Sequence, residues 1–475
     1  MLTSPLLAAL ETYRARRSLR LHVPGHGGGN FLDPACRSAI QEPWELDVTE
    51  LDGLDNLAAP AGVIRESQDQ VAAWLGVART FYLVQGTTGG LHALLRAVAA
   101  PGEAIAFPRA SHLAVWHGCA LAGIQPVVLE TPWDADLGLP GLPRADEFAA
   151  QLRAVHGLKA IVLTRPDYHG RCLDLSPWAE LASELGVFLL VDEAHGSHLG
   201  ACPGLPVGAI ARGAHAVVQS THKTLGALTQ AAALHLAPGG PDPERVQRML
   251  RAVTTTSPSY LLLASCEAAF VQHARHGAEA WGRLLGDVER CRAHLAQHGI
   301  PCLERVAPGV ELDPTRLVID AAGWGRDAEA VADMLSERGI ELELVTDRYL
   351  GALLTPAHSA ADLDRLVTAL VAIATALPSV TAPVTSAPVF VPERAMPLDA
   401  AWQEGGDVRP LAECLGRISV EFVAPYPPGL PVLTPGEVVT PSILTELEVR
   451  RDAGASFVGP SDPSLETLRT CSRPS

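Results

Sequence analysis

Residues 216–235 read AVVQSTHKTLGALTQAAALH, and this stretch carries the strongest indication of fold and chemistry in the chain. Its apolar start predicts a short strand, and Lys223 follows on a turn among small hydroxyl residues and a histidine. An amine that is partly desolvated at a strand end has a lowered pKa, which suits it to form a Schiff base. Lysine is also scarce, because Lys159 is the other lysine in a chain of 475 residues. From these residues alone, a solvated loop lysine is an equal alternative.

Two other stretches predict strands of a parallel sheet that end in polar residues. Residues 187–200, VFLLVDEAHGSHLG, begin as a continuous apolar run, typical of a strand buried on both faces, and the run ends in Asp192. Residues 81–99, FYLVQGTTGGLHALLRAVA, read as a strand, a glycine-rich turn and a helix. The N–H groups of such a helix start, with the hydroxyls of Thr87 and Thr88, are suited to bind a phosphate group. A phosphate site, a strand-end carboxylate and an isolated lysine together match the phosphate, the pyridine nitrogen and the aldehyde of pyridoxal phosphate.

The order of helical and strand patterns predicts an α/β protein. Between residues 65 and 275, helices alternate with short apolar strands, which is the rhythm of a parallel sheet. The predicted strands there are AIAFP, PVVLE, KAIVLT, VFLLVD, AVVQS and AAALHLA. The chain is expected to contain an N-terminal arm (1–64), a large α/β domain (65–275), a smaller α+β domain (276–377), an extended linker (378–397) and a C-terminal module (398–475).

Composition and charge narrow the function classes. The formal net charge is −17, which argues against binding to nucleic acid or to acidic membranes. Nine cysteines without a CxxC pair are expected of a reduced, cytoplasmic protein rather than of a disulfide or zinc scaffold. His22 and His26 have a zinc-like spacing but no acidic or thiol partner, so no metal site is predicted. No apolar run has the length of a membrane-spanning helix, and the N-terminus lacks signal-peptide features.

Seven segments of the chain match one family in order. They are LHVPGHGGG (21–29), DVTELDGLDNLAAPAGVIRESQ (47–68), FYLVQGTTGG (81–90), VDEAHGSHLG (191–200), QSTHKTLGALTQ (219–230), TTTSPSYLLLAS (254–265) and GRISVEFVAPYPPGLPVLTPGE (416–437). In these segments the chain resembles the Orn/Lys/Arg decarboxylases, pyridoxal-phosphate enzymes of the aspartate-aminotransferase fold, and most of all the shorter bacterial members that include arginine decarboxylases. The resemblance implies fold type I, with a mainly parallel sheet in the large domain, a smaller α+β domain and a C-terminal decarboxylase module.

The resemblance also implies a role for each residue of the predicted cofactor site. Lys223 would form the Schiff base with the cofactor, and Asp192 would pair with the pyridine nitrogen and keep it protonated. His195 and His222 are expected to act with Lys223 in catalysis, and the ring of His112 is expected to stack on the cofactor. The remaining cofactor contacts are expected from Gly86, Thr87, Thr88, Ala194 and Ser220. Helix capping is the competing role for the two threonines.

The implied reaction is α-decarboxylation of a basic amino acid, with arginine slightly favoured over lysine and ornithine. Such a substrate needs a carboxylate partner at its far end, and the candidates are Glu50, Asp167 and Glu437. The chain departs from the family pattern at Gly27, Leu113, Asp167 and His169, which leaves open the substrate and the efficiency of turnover. Family analogy further implies a homodimer as the smallest assembly.

Two alternatives stay open beside the decarboxylase. An aminotransferase or aldolase could use the same fold, and an aminotransferase would need an arginine clamp for the α-carboxylate. The second alternative is a cofactor-binding homologue with weak or no activity. The string DEAH (192–195) also spells a helicase-type ATPase box, but the chain has no GxxxxGK[ST] partner, so that function is rejected.

Overall fold

The chain folds into two compact units that are each built from separated segments. The computed structural model describes residues 2–16, 43–304, 306–379, 392–426, 429–452 and 454–472. The first unit comprises Met1–Ala97 and Leu190–Gly282, and the second comprises Val98–Leu189 and Arg283–Ser475. His22, His26, Gly27 and most of the predicted linker (378–397) lie outside the described residues. The domain limits derived from the sequence stay predictions.

The helices and strands of the described residues are short, apart from one long helix. The helices are α1 Pro5–Ala15, α2 Val63–Leu75, α3 Gly86–Val98, α4 Leu113–Ala122, α5 Ala145–Arg153, α6 Ser176–Leu185, α7 Thr221–Thr224, α8 Pro243–Val253, α9 Tyr260–Gln297, α10 Ala328–Ser336, α11 Ala360–Ala376, α12 Leu398–Gln403 and α13 Pro441–Asp452. The strands are β1 Arg79–Leu83, β2 Ala104–Pro108, β3 Gln125–Leu129, β4 Trp133–Asp134, β5 Leu139–Pro140, β6 Leu158–Thr164, β7 Arg171–Leu173, β8 Phe188–Asp192, β9 Ala216–Gln219, β10 Ala232–Leu236, β11 Val310–Leu312, β12 Arg316–Asp320, β13 Leu344–Val345, β14 Tyr349–Leu353, β15 Asp407–Pro410, β16 Ile418–Ser419, β17 Ala424–Tyr426, β18 Ser456–Val458 and β19 Thr467–Cys471. Within this part of the chain, no helix is both long and apolar enough to cross a membrane.

The main strands confirm the α/β class predicted from the sequence. In the first unit the strand order is β1-β10-β9-β8, where β8 and β9 are parallel and the other two pairs are antiparallel. In the second unit, β2 is the parallel neighbour of both β6 and β3. Parallel pairing therefore predominates. Every residue of β1 and β2 is buried, which explains why β2 is a continuous apolar run, whereas β1 begins with the buried polar residues Arg79 and Thr80.

The register of the first unit brings three strand ends to one edge. Asp192, at the end of β8, pairs with Val218 of β9. Gln219, at the end of β9, lies opposite Ala233 of β10, and Tyr82 of β1 pairs with the same Ala233. Because β1, β8 and β9 run in the same direction, the segments that follow them leave the sheet at the same edge. The carboxyl ends of such strands are where α/β folds bind ligands.

Helix α3 packs closely on this sheet because residue 90 is glycine. A Cβ atom at Gly90 would meet Cδ1 of Leu83 at 2.5 Å and Cγ1 of Val218 at 3.4 Å. Leu83 belongs to β1 and Val218 to β9, and both side chains are buried. Since a packed core has little room to rearrange, a larger residue at this position would displace the start of α3 from the strand ends.

The second unit also contains smaller antiparallel sheets. One has the order β12-β14-β13 and packs against α10, and another has the order β15-β19-β16. The segment after residue 398 has its own apolar core, which includes Leu433, Ile443 and Leu447.

Helix α9 is 38 residues long and passes through the domain limit predicted at residue 276, since no proline interrupts it after Tyr260.

Candidate active site

Lys223 and His195 form the central pair of the candidate site. Lys223 lies in α7, directly after β9, and its Nζ is 2.9 Å from Nε2 of His195. His195 follows the end of β8 by three residues and is 4% exposed. A neutral imidazole at this distance accepts a hydrogen bond from an ammonium group and takes up its proton. The pair therefore places a half-buried amine beside a group that can accept and return its proton.

Asp192, the predicted partner of the ring nitrogen, is almost fully buried at the end of β8. Its Oδ1 accepts a hydrogen bond from the N–H of Ala194 at 3.1 Å, which fixes the carboxylate at the strand end. The adjacent Glu193 accepts from the N–H of Ala209 at 2.8 Å and from Nε2 of Gln219 at 2.7 Å. Of the two successive acidic residues, Glu193 therefore stabilises the surrounding loops, and Asp192 is the candidate ligand.

The start of α3 and the residue before α7 form the candidate phosphate site. Gly86 begins α3 with a φ of +68°, a conformation that favours glycine, and its N–H donates to the carbonyl of Gln230 at 2.9 Å. Oγ1 of Thr87 is 3.4 Å from Oγ of Ser220, although 133 residues separate the two. Thr88 lies exposed in the same helical turn. The N–H groups of a first helical turn have no partner within the helix, so they and the hydroxyls can donate to a phosphate.

The imidazoles of His222 and His112 are each fixed by a backbone group. Nδ1 of His222 is 2.8 Å from the carbonyl of Ala231 and donates a hydrogen to it. His112 caps the start of α4, where its Nδ1 accepts from the N–H of Ala114 at 3.1 Å. When neutral, the two rings therefore carry their hydrogens on different nitrogens. His112 belongs to the second unit, whereas the other predicted catalytic and cofactor residues belong to the first.

The side chains of the first unit fit pyridoxal phosphate by their chemistry. Hydroxyl and N–H donors suit its phosphate, the carboxylate of Asp192 suits its ring nitrogen, and the amine of Lys223 suits its aldehyde. Next to these residues, Oγ of Ser197 and Oγ1 of Thr224 are buried and have no hydrogen-bond partner in the part of the chain that the structure describes. Buried hydroxyls are normally satisfied, so these two are consistent with a polar ligand at this edge of the sheet.

Asp167, one of the three predicted substrate carboxylates, is bonded within its own loop. Its Oδ1 accepts from the N–H groups of His169 and Arg171, each at 2.9 Å, and its Oδ2 accepts from Nε of Arg171 at 2.7 Å. Burial opposes the charge on Asp167, but the charge and the hydrogen bonds of Arg171 hold the pKa of this carboxyl below its ordinary value. Burial also lowers the pKa of His169 to about 4. These two departures from the family pattern therefore form a self-contained turn.

Glu437, the second candidate, is the centre of an ion-pair network in the second unit. Its Oε1 accepts from the guanidinium groups of Arg109 at 2.5 Å and Arg394 at 3.1 Å, and its Oε2 accepts from the N–H of Thr434 at 2.8 Å. Arg109 also donates to Glu130 at 3.2 Å. Neither arginine was predicted as a functional residue. Arg109 follows the apolar strand β2 directly, and this position after a strand end indicates a functional side chain.

Glu50, the third candidate, keeps one oxygen without a hydrogen bond. The hydroxyl of Thr49 donates to Oε2 of Glu50, whereas the buried Oε1 has no partner among the residues described. Glu50 lies in the same unit as Lys223. The neighbouring Val48 belongs to an apolar cluster against which Leu225, two residues beyond Lys223, also packs. Of the three carboxylates, Glu50 therefore has the clearest capacity to accept a further donor.

Comparison with known proteins gives the same family as the sequence motifs. The Orn/Lys/Arg decarboxylase major domain matches residues 4–310, and the Orn/Lys/Arg decarboxylase C-terminal domain matches residues 383–461. The chain belongs to the Orn/Lys/Arg decarboxylase family. An arginine decarboxylase of Bacillus subtilis (strain 168) is 34% identical to this enzyme over 476 residues, which cover 98% of this chain and 97% of that protein. An arginine decarboxylase of Halalkalibacterium halodurans is 32% identical over 477 residues, which again cover 98% of this chain and 97% of that protein.

Solved structures confirm the fold. The constitutive lysine decarboxylase of Escherichia coli has a TM-score of 0.79 and 22% identity, covering 98% of this chain and 79% of that one. The lysine decarboxylase LdcF of Francisella novicida has a TM-score of 0.85 and 19% identity, covering 98% of this chain and 80% of that one. These structures confirm the predicted fold type, and the family match and the relatives confirm the predicted family and enzyme class. The protein is an amino-acid carboxy-lyase of a pyridoxal-phosphate-dependent family.

Proposed function

We propose that the enzyme uses pyridoxal phosphate to remove the α-carboxylate of a basic amino acid, and that this amino acid is arginine. The observation that carries the proposal is the 2.9 Å contact between Nζ of Lys223 and Nε2 of His195, at the edge of the sheet where Asp192 also lies. The choice of arginine is supported by the relatives. The arginine decarboxylases among them are 31–34% identical to this chain, and the lysine decarboxylases are 22–24% identical.

In the first unit, Asp192 would bind the cofactor ring, and Lys223 and His195 would transfer protons. When bound, pyridoxal phosphate supplies an aldehyde that condenses with an amine and a ring that accepts the electron pair left by carbon dioxide. Lys223 reacts as a neutral amine, so His195 would accept the proton that its ammonium form must lose. The carboxylate of Asp192 would hold a proton on the ring nitrogen, because a nearby negative charge favours the protonated form. Lys223 and His195 would then return a proton to the α-carbon of the substrate.

The guanidinium group of arginine requires a buried carboxylate, and Glu50 is the candidate that its contacts favour. Guanidinium and carboxylate groups form paired, charge-assisted hydrogen bonds. Oε1 of Glu50 is buried and lacks a partner in the described segments, whereas the carboxylates of Asp167 and Glu437 already accept hydrogen bonds from arginine side chains. Asp167 and Glu437 stay predictions from the sequence, and a substrate would have to share them with those arginines.

Cofactor attachment is the first test of the proposal. Visible absorbance is measured after loading with pyridoxal phosphate, in the wild type, in Lys223→Ala and in Lys159→Ala. Lys159 is the matched control, because it is the other lysine and its ammonium group lies 3.1 Å from Glu103 with the side chain 43% exposed. We expect the absorbance of the bound cofactor to be lost in Lys223→Ala alone. Absorbance that survives this substitution would contradict the role of Lys223.

The reaction is tested by measuring carbon dioxide release from arginine, lysine and ornithine, with keto-acid formation measured in parallel. We expect arginine to give the fastest release and no amino acid to give keto acid. Keto-acid exchange without carbon dioxide would identify an aminotransferase instead. Cofactor binding without any turnover would identify a catalytically silent homologue. The homodimer and the cytoplasmic location stay predictions, and light scattering of the purified protein checks the first.

A further inference from the structure

The network around Glu437 points to a role other than substrate binding for this carboxylate. The side chains of Arg109 and Glu437 are 7% and 1% exposed, and Arg394 adds a second guanidinium group. Burial opposes the charge on Arg109, but Glu437 and Glu130 raise its pKa above the ordinary value. A buried carboxylate that already binds two arginines and a backbone N–H has its charge compensated by the protein itself.

Glu437 is presented to Arg109 from a rigid turn. The preceding residue, Gly436, has a φ of +88°, and a Cβ atom there would collide with the carbonyl oxygen of Met396. The N–H of Gly436 donates to the carbonyl of Ser419 at 2.8 Å. Because glycine is required by both the backbone conformation and the space, this turn has one geometry, and it fixes the direction of the carboxylate.

Arg109, on the other side of the ion pair, belongs to the turn that leads into α4. The N–H of Ser111 donates to the carbonyl of Pro108 at 2.9 Å, which closes this turn, and His112 then caps the helix. Cζ of Arg109 also lies 5.7 Å from the centre of the Trp116 ring, one turn into the helix. A displacement of Arg109 would therefore move the start of α4 and the imidazole of His112 with it.

The segment after residue 398 contacts α4 at a second point. The ring of His117 stacks on Trp402 with 5.5 Å between the ring centres, and Phe422 meets the same imidazole edge-on at 4.7 Å. Helix α12 packs along α4. Helix α4 is thus held by Glu437 through Arg109 and by two aromatic rings through His117.

We propose that Glu437 is a positioning residue, which through Arg109 fixes the turn 108–111 and, with it, the imidazole of His112 at the start of α4. The inference rests on the proposed function and on the role that the family resemblance implies for His112, which is to stack on the cofactor ring. It is an alternative to the substrate contact for which Glu437 is a candidate from the sequence. The C-terminal module then holds the turn before α4 in place through the pair Glu437–Arg109.

Amide hydrogen exchange of the cofactor-free protein tests the positioning directly. The variants are Glu437→Gln, Arg109→Gln and the double variant. Glu184→Gln is the control, because Glu184 pairs with Arg153 at 2.8 Å with both side chains 52% exposed. We expect the amides of residues 109–116 to exchange about tenfold faster in Glu437→Gln and unchanged in the control. The loss of protection against exchange in the double variant should be smaller than the sum of the losses in the two single variants, because each single substitution already breaks the same ion pair. Wild-type exchange in this segment would overturn the inference.

Catalysis and circular dichroism separate positioning from substrate binding. We expect kcat with arginine to fall about tenfold or more in Glu437→Gln, KM to stay within about twofold, and the visible circular dichroism of the loaded, substrate-free enzyme to change. A raised KM with unchanged kcat and circular dichroism would identify a substrate contact and overturn the inference. If the wild type takes up no cofactor, the proposed function fails, while the exchange result still decides the positioning. Should Glu437→Gln not fold, Glu437→Asp is judged by the same criteria.

Discussion

We expect acid to destabilise the protein through His235, a neutral imidazole buried in β10. The residue is 1% exposed, and its Nδ1 shares a hydrogen bond of 2.9 Å with Oγ1 of Thr80. Its Nε2 is buried without a partner among the described residues. Burial lowers the pKa of His235 from 6.5 to about 3. The imidazole is therefore neutral in the folded protein under mildly acidic conditions, whereas in the unfolded chain it takes up a proton below a pH of about 6.5.

Linkage gives the sign and the size of this effect. The folded pKa is lower than the unfolded one, so unfolding takes up a proton, and the free energy of unfolding falls as the pH falls through this window. Between pH 7 and pH 5 the free energy of unfolding falls by about 2 kcal/mol. Only the pKa in the unfolded chain sets this loss, because the folded imidazole is still neutral at pH 5. His169, whose pKa burial lowers to about 4, follows the same rule. The two histidines together account for a loss of about 4 kcal/mol.

The assay is urea unfolding of the cofactor-free protein at a series of pH values between about 7 and 5. His235→Gln removes the titrating group, so we expect the slope of the free energy against pH to fall by about 1.4 kcal/mol per pH unit at the acidic end. The exposed His156→Gln is the control and should keep the wild-type slope. Equal slopes in the wild type and in His235→Gln would refute the reasoning, because His235 would then bind protons equally in the folded and unfolded states.

Three further substitutions test the site and the turn that presents Glu437. Asp192→Asn should lower kcat by about a hundredfold, because an amide does not favour the protonated ring nitrogen; wild-type kcat in the loaded variant would contradict this. Glu50→Gln should raise KM for arginine about tenfold and leave the cofactor absorbance intact, and an unchanged KM would remove Glu50 from the substrate site. Gly436→Ala should lower the free energy of unfolding by about 2–4 kcal/mol, through backbone strain and the collision with Met396. The control in thermal unfolding is Gly53→Ala, because Gly53 has a φ of +86° but open space around it. This substitution should lower the free energy of unfolding by less than Gly436→Ala does.

Most of the main strands could be predicted because their information is local. The strands β2, β6, β8, β9 and β10 each coincide with an apolar run of the sequence, and burial on both faces is what such runs indicate. The glycine-rich stretch after β1 likewise predicted the start of α3. Because β8 and β9 are parallel neighbours, Asp192 and the segment that carries Lys223 follow the same edge of the sheet, as parallel pairing predicts.

Contacts between distant residues could not be predicted in the same way. Glu437 and Arg109 are 328 residues apart, and nothing in the Pro-Gly-Glu segment identifies an arginine as the partner of its carboxylate. The internal bonds of Asp167 depend on the backbone geometry of one turn, which residue types do not specify. The continuous course of helix α9 through residue 276 is likewise a feature that the pattern of residues there did not specify. In each case the missing information is a specific tertiary or backbone geometry.

The discontinuous first unit has a consequence for the order of events during synthesis. Thr87 lies before the segment 98–189, which belongs to the second unit, and Ser220 and Lys223 lie after it. Joining such distant positions requires closure of a long loop, which is entropically unfavourable and slow. A nascent chain that has left the ribosome only as far as residue 189 would carry Thr87 and Thr88 but neither Asp192 nor Lys223. In the proposed function, capture of the cofactor would therefore be a late step, after both halves of the first unit have emerged.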